Sequence, residues 1–176
     1  MAAGVSAIGE YHGGAGEACA RMLQEAALAH PETSPDALAR DIVEDFRRGG
    51  RRIPGFGHRI HDPDPRAVRL LSLADEWGIS GPHVALARAI VAGLLAATGR
   101  SLPMNVDGAL AALISDMGID WRYGKALFIV ARTAGLAAHV HEETTTGKPF
   151  KFFAPTDAEY VGPPERPVPL KDTNAT

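Results

Sequence analysis

Three ionisable side chains lie in glycine-containing loops, each beside the start of a predicted helix: His12 in EYHGGAG, His58 in PGFGHRI and Asp107 in PMNVDGAL. Glycine lets the backbone approach a ligand closely, and the first amides of a helix bind anions. A carboxylate and two imidazoles that meet in one pocket could remove a proton from a weak carbon acid and stabilise the enolate. Each residue also has a simpler interpretation, because an aspartate at a helix start is often an N-cap and a loop histidine often bonds backbone carbonyls.

An arginine follows at a spacing that would bring a positive charge to the same place. Arg66 lies eight residues after His58 and two after Asp64, which is the predicted N-cap of the next helix. A guanidinium at a helix start combines a two-pronged donor with free backbone amides and the helix dipole, all of which favour an anion. The alternative is an ordinary solvated arginine on a helix surface.

The candidate residues are separated by six predicted helices, whose ends are marked by proline, glycine and capping residues. Ser34 and Asp64 are predicted N-caps in front of Pro35 and Pro65, and Pro82 begins a further helix. A glycine or proline after most of the helical runs predicts where they end. The predicted helices cover about 14–31, 35–49, 65–78, 82–99, 108–118 and 122–144, and they predict an all-α fold.

Composition excludes several classes of protein. With 18 basic and 21 acidic residues among 176, the formal net charge is −3, so no basic field attracts nucleic acid or an anionic membrane. The longest apolar stretch contains Arg88 and is shorter than the ~18 residues of a membrane span. A single cysteine, Cys19, excludes an internal disulfide, and no secretory signal opens the chain, so we expect a cytoplasmic protein. No zinc, P-loop or dinucleotide motif is present, and we expect no metal.

Four segments together resemble one known family. EYHGGAGEACARML, IPGFGHRIHDPDPRA, MNVDGALAALISDMGI and FIVARTAGLAAHVHEE occur in the order and with the spacing of the citrate synthase family, over residues 2–155. The NVDGA run and the short gap from His58 to Arg66 are more similar to citryl-CoA lyases and to the citrate-cleaving module of ATP-citrate lyase. The resemblance implies the citrate synthase fold. It would have a small helical domain over 16–112, large-domain segments over 1–15 and 113–155, and an extended or disordered tail over 156–176.

The resemblance also implies roles for the candidate residues. Asp107 would exchange a proton with the acetyl methyl group of acetyl-CoA, and His12 would donate a hydrogen bond to the thioester oxygen. His58 would polarise the keto oxygen of oxaloacetate or hold the tertiary hydroxyl of citryl-CoA. The carboxylates of the acid would be bound by Arg66, Arg132 and, in place of a further arginine of the family, Lys151.

A CoA thioester is therefore the implied substrate, with no permanently bound cofactor. The stiff IPGFG loop resembles the family's adenine-binding turn, and Arg51 and Arg52 before it are near enough in sequence to meet the CoA phosphates. The residues implied for CoA binding are Arg52, Ile53, Pro54, Gly55, Phe56, Gly57, Arg59 and Asn105.

The function implied by the resemblance is reversible Claisen chemistry between acetyl-CoA and oxaloacetate or a related 2-oxo acid. Family members are usually far longer at the amino end, so a non-catalytic or partner-dependent subunit of a longer enzyme is the alternative. A stand-alone CoA-binding protein is a third. The segment ALFIVARTAGLAAHV is apolar on nearly every face, which is typical of a helix inside something larger. We therefore expect a homodimer or an assembly with a longer chain.

Overall fold

The computed structural model describes residues 1–147 together with residues 156 and 159. Over this part of the chain, isolated bridges occur but no strand, so the predicted all-α class is confirmed. None of the helices described is long and apolar enough to cross a membrane. The elements are α1 (Ala2–Ser6), α2 (Gly14–Ala29), α3 (Pro35–Arg48), α4 (Pro65–Glu76), α5 (Pro82–Thr98), α6 (Val106–Asp116), a 3-10 turn (Trp121–Tyr123) and α7 (Gly124–Thr146).

Helix starts follow the capping residues in the sequence, with one exception. The Ser34 hydroxyl accepts from the amide of Ala37, and the Asp64 carboxylate accepts from the amide of Arg66, as the predicted caps of α3 and α4 require. At α6 the cap is Asn105, whose side-chain oxygen accepts from the amide of Asp107 at 3.0 Å. The interpretation of Asp107 as an N-cap is therefore wrong. Its carboxylate lies within the first turn and is not used for capping.

Helix α6 is the central element of the fold. It packs against α2, α4 and α5, and seven of its eleven residues are buried. Five of those seven are glycine, alanine or serine, so the neighbouring helices can approach its backbone closely. The core packs around α6 from Gly108 onward, and this packing positions the amino-terminal turn that carries Asp107.

Helix α7 contrasts with α6, since none of its residues is buried. Large apolar side chains on it are exposed, including Leu127, Val130 and Val140. The chain divides into two compact units, Met1–Val140 and His141–Thr176. In the first unit, Gly4 of α1 lies against Leu136. In the second, the hydroxyls of the threonines that end α7 donate to backbone carbonyls one turn earlier.

Two features of the predicted organisation stay predictions. Lys151 and nearly all of the predicted tail over 156–176 lie outside the described residues. The predicted boundary between a small and a large domain at residues 15 and 112 is likewise a prediction that the packing within Met1–Val140 does not test.

Candidate active site

Asp107 has a carboxyl group whose pKa is raised by its surroundings. It is half-buried, and burial raises the pKa of its carboxyl above the ordinary value. The charges of Arg66 and His12 lower that pKa, while the charge of Asp64 raises it, and burial prevails. The carboxyl of Asp107 is therefore a better proton acceptor than a solvated aspartate, and Arg66 and His12 are both close enough to affect it.

His58 has a defined tautomer. Its Nδ1 accepts hydrogen bonds from the amides of Ile60 at 3.1 Å and His61 at 3.0 Å. A neutral ring with Nδ1 as acceptor carries its proton on Nε2. Nε2 lies 3.3 Å from Nη2 of Arg66, and because both atoms are donors this contact is not a hydrogen bond. Two donors that converge without an acceptor between them form a site for an oxygen atom of a ligand.

Arg66 is held by a carboxylate that is completely buried. Its Nε donates to Oδ1 of Asp64 at 3.0 Å and its Nη2 to Oδ2 at 2.9 Å, a two-pronged pair. These bonds hold the pKa of the Asp64 carboxyl down at about 2 and raise that of the guanidinium. From the sequence, Asp64 is predicted only as the N-cap of α4. Its pairing with Arg66 and its bond to the amide of Val106, 42 residues further along the chain, were missed because no local motif signals them.

His12 lies in a tight turn that packs on α7. Gly9 and His12 exchange backbone hydrogen bonds of 3.0 and 3.1 Å, and Gly13 has a φ of 104°, a value that favours glycine. Nη1 of Arg132 donates to Nε2 of His12 at 2.8 Å, so the proton of the neutral imidazole lies on Nδ1. The ring of Phe128 meets the imidazole edge-on and lies under the guanidinium of Arg132. His12 and His58 are thus fixed in opposite tautomers.

The structure brings five of the six predicted catalytic and acid-binding residues into one region. Arg132 bonds His12, His12 and Arg66 both act on the charge of Asp107, and Arg66 contacts His58. Lys151 is the sixth and lies outside the described residues. A base, two imidazole donors and two guanidinium groups in one region suit proton removal next to a carbonyl and the binding of an anionic substrate.

The loop predicted to bind CoA lies directly on the start of α6. The carbonyl of Gly55 accepts from the amide of Asn105 at 3.0 Å, and the side-chain amide of Asn105 donates to the carbonyl of Gly57 at 2.9 Å. A Cβ atom on Gly108 would overlap the carbonyl oxygen of Gly55. Glycine is therefore required on α6 for the loop to approach. Asn105 has a structural role here, and its role in CoA binding stays a prediction.

A cavity of about 900 Å³ opens beside this loop. Five of the eight residues predicted for CoA binding line it: Arg52, Ile53, Phe56, Gly57 and Arg59. Pro54, Gly55 and Asn105 do not line it, and Gly55 turns inward against Cys19 and Gly108. The wall also contains His58, so the cavity reaches the candidate active site.

The charge of the cavity comes from more arginines than the loop supplies. Arg100, two residues after the end of α5, also lines it and was not predicted from the sequence, although a basic residue near a helix carboxyl end is a readable signal. Over the part of the chain that the structure describes, the guanidinium groups of Arg52, Arg59 and Arg100 have neither a hydrogen bond nor an ion pair. Arg51 instead pairs with Asp45 at 2.8 Å. Three unpaired cations around an apolar floor suit a ligand that has both phosphates and a ring.

Comparisons with known proteins agree with this geometry at the level of the family. Residues 1–152 match the family described as citrate synthase, C-terminal domain. The chain belongs to the citrate synthase family, and the resemblance found in the sequence is confirmed.

The chain is similar to several characterised members. The solved structure of citryl-CoA lyase from Hydrogenobacter thermophilus superposes with a TM-score of 0.82 at 41% identity, over 96% of this chain and 64% of that one. ATP citrate lyase from Methanothrix soehngenii, solved with citrate and coenzyme A, superposes with a TM-score of 0.68 at 26% identity. The match covers 92% of this chain and 28% of that one. Glyoxysomal citrate synthase from Cucurbita maxima is 31% identical over 177 residues, 93% of this chain and 33% of its own length. The fold is the citrate synthase fold, and the chain spans well under two thirds of the length of the curated relative.

Proposed function

We propose that this chain catalyses, or supplies the catalytic residues for, reversible carbon–carbon bond formation between acetyl-CoA and oxaloacetate or a related 2-oxo acid. The single observation that carries the proposal is the carboxyl of Asp107. Its pKa is raised by burial, and His12 and Arg66 are both near enough to act on its charge. Family membership supports this class of chemistry, which needs a base and donors in that arrangement.

The chain's own residues account for each movement of charge in the condensation. The carboxylate of Asp107 takes a proton from the acetyl methyl group, and the electrons of that C–H bond move toward the thioester oxygen. Nδ1–H of His12 donates to that oxygen, because Arg132 occupies Nε2. The enolate carbon then attacks the keto carbon, and the alkoxide formed from the keto oxygen takes up a proton to become the tertiary hydroxyl of citryl-CoA, which balances the proton that Asp107 removed. Nε2–H of His58 and the guanidinium of Arg66 converge where that oxygen would accept hydrogen bonds.

Coenzyme A is the proposed thioester carrier, bound in the cavity beside the IPGFG loop. The ring of Phe56 and the side chain of Ile53 offer an apolar surface to the adenine. The guanidinium groups of Arg52, Arg59 and Arg100 offer charge to the phosphates. His58 at the cavity wall would meet the thioester end. The similar ATP citrate lyase from Methanothrix soehngenii was solved in complex with citrate and coenzyme A, which supports the choice of both ligands.

We propose a homodimer or an assembly with a longer chain as the working form. The exposed apolar side chains of α7 support this, since soluble proteins seldom leave a helix of this composition uncovered. A partner-dependent subunit of a longer enzyme is the second candidate function, and the same exposed side chains of α7 would then meet the longer chain. The cytoplasmic location expected from the sequence stays a proposal.

Turnover of citryl-CoA by the purified chain tests the proposed function. Oxaloacetate released on cleavage would be followed by its reduction with NADH in a coupled assay, and sedimentation would give the oligomeric state. Turnover by the chain alone supports an enzyme, and turnover only after a longer family member is added supports a subunit. CoA binding without turnover in either case would reject the proposal and leave a CoA-binding protein.

A further inference from the structure

Asp64 forms more hydrogen bonds than a helix cap needs. The residue is completely buried, with 0% of its surface exposed, and its two oxygens accept four bonds. The amide of Arg66 donates to Oδ1 at 3.0 Å, which is the bond that caps α4. The other three come from Nε and Nη2 of Arg66 and from the amide of Val106 at 3.0 Å. A serine, threonine or asparagine could supply the cap alone, without the cost of burying a charge.

The additional bonds connect two parts of the candidate active site. Arg66 is the guanidinium that meets His58 where the keto oxygen would lie, and Val106 is the first residue of α6, directly before Asp107. One carboxylate thus holds the acid-binding group and the start of the base-bearing helix. Its two-pronged pairing fixes both the position and the plane of the guanidinium.

We infer that Asp64 is a positioning residue. It fixes the position of the Arg66 guanidinium relative to the Asp107 carboxylate, so that the bound acid substrate and the base are correctly placed for reaction. The inference rests on the proposed function, because it assigns a task within that reaction. Asp64 itself touches neither substrate nor reacting atoms and acts through Arg66 and the backbone of α6.

Charge balance supports the same role. The positive charge of Arg66 lowers the pKa of the Asp107 carboxyl, and the negative charge of Asp64 raises it. With Asp64 beside it, Arg66 can bind a carboxylate or an alkoxide without making the base much weaker. An arginine without a carboxylate partner at the same place would also bind the anion, but it would lower the pKa of the Asp107 carboxyl further and so weaken it as a base.

The chain contains a matched control for a merely structural effect. Asp116 at the end of α6 has a side chain that is 1% exposed, and it accepts hydrogen bonds from three backbone amides at the start of α5. It lies nine residues from Asp107 along α6, about 14 Å at 1.5 Å per residue. Replacing Asp64 or Asp116 by asparagine should destabilise the fold in the same way. Only the replacement of Asp64 should change substrate binding in the candidate active site.

The test measures acetyl-CoA and oxaloacetate condensation, with the longer partner added if turnover requires it, for wild type, D64N, D64S, D116N, R66K and D64N/R66K. D64S keeps a good cap for α4, so it separates the loss of the charge from a failure to fold. We expect D64N and D64S to raise the KM for oxaloacetate by about tenfold or more, because a buried charged pair is broken, while the KM for acetyl-CoA changes less than about twofold. D116N should lower the melting temperature and leave both KM values unchanged.

The double variant decides whether Asp64 acts through Arg66. If it does, D64N should add little to the effect of R66K, so the two effects do not multiply. The inference is overturned if the effects multiply, or if D64N and D64S change the KM for oxaloacetate no more than D116N does. Wild-type protein that condenses nothing with or without the partner would reject the proposed function itself, which is a different outcome.

Discussion

Asp64 and Asp116 are two buried carboxylates in one fold, and their partners set them apart. Both tie α6 to a neighbouring helix: Asp64 joins the start of α4 to the start of α6, and Asp116 joins the end of α6 to the start of α5. The side chain of Asp116 bonds the amides of Gly81, His83 and Val84 and the ring of His83. That of Asp64 uses two of its four bonds on a guanidinium in the candidate active site. Burial of a carboxylate therefore does not identify a functional residue, whereas the identity of its partners does.

The carboxylate between these two, Asp107, should show the largest effect on activity. We expect D107N to lower kcat by about 10²- to 10⁴-fold, because the amide cannot accept the proton from the acetyl methyl group. The affinity for CoA, measured by calorimetry, should stay close to that of wild type, since Asp107 is not among the residues that line the cavity. A loss of kcat below tenfold would remove Asp107 from the role of base.

Asp116 should show the largest effect on stability. We expect D116A to lower the free energy of unfolding by about 2–4 kcal/mol, because three amides at the start of α5 lose their acceptor inside the protein. Chemical denaturation measures this change. The control is D36A, which removes an exposed carboxylate from the first turn of α3 and should stay within about 0.5 kcal/mol of wild type. Equal losses in the two variants would mean that the Asp116 bonds contribute nothing.

Asp64 should make stability depend on acid pH. Its folded-state pKa of about 2 lies below the ordinary 3.8, so the stabilisation is present above pH 4 and is lost as the pH falls toward 2. The shift corresponds to roughly 2 kcal/mol. Denaturation of wild type and D64S at pH 6, 4, 3 and 2 should show a difference in unfolding free energy that shrinks over this range. A difference that stays constant down to pH 2 would contradict the pairing with Arg66.

The smallest expected effect is on the stability of D107N, which should rise, whereas replacing Asp64 or Asp116 should lower stability. Because burial raises the pKa of Asp107 above its ordinary value, ionised Asp107 costs stability at neutral pH, and the cost disappears below the pKa of the unfolded carboxyl. D107N removes the ionisable group, so we expect a slightly higher melting temperature at pH 7 together with the loss of activity. D64N should lower the melting temperature at the same pH. A lower melting temperature for D107N at pH 7 would show that the carboxylate stabilises the fold where it lies.

The helices were predictable from the sequence because their signals are local. A proline at the first position and a serine or aspartate before it define the starts of α3 and α4, and the proline-led run from Pro82 defines α5. The residue types for the site were also readable, since glycine-containing loops with ionisable side chains at helix starts are uncommon as a set. The apolar composition of α7 predicted a helix that belongs inside something larger, and Leu127, Val130 and Val140 on it are exposed within the described part of the chain.

What the sequence determined by itself, then, was the set of helices, the types of side chain in the loops between them and the family that they resemble. The tertiary structure decided how those side chains are used: that Asn105 rather than Asp107 caps α6, and that Arg132 bonds His12 from 120 residues away. It also decided the proton positions on both imidazoles and the link from Asp64 to Val106. Spacing along a chain encodes neighbours within a few residues, whereas these contacts depend on how the helices pack around α6, and that is a property of the whole fold.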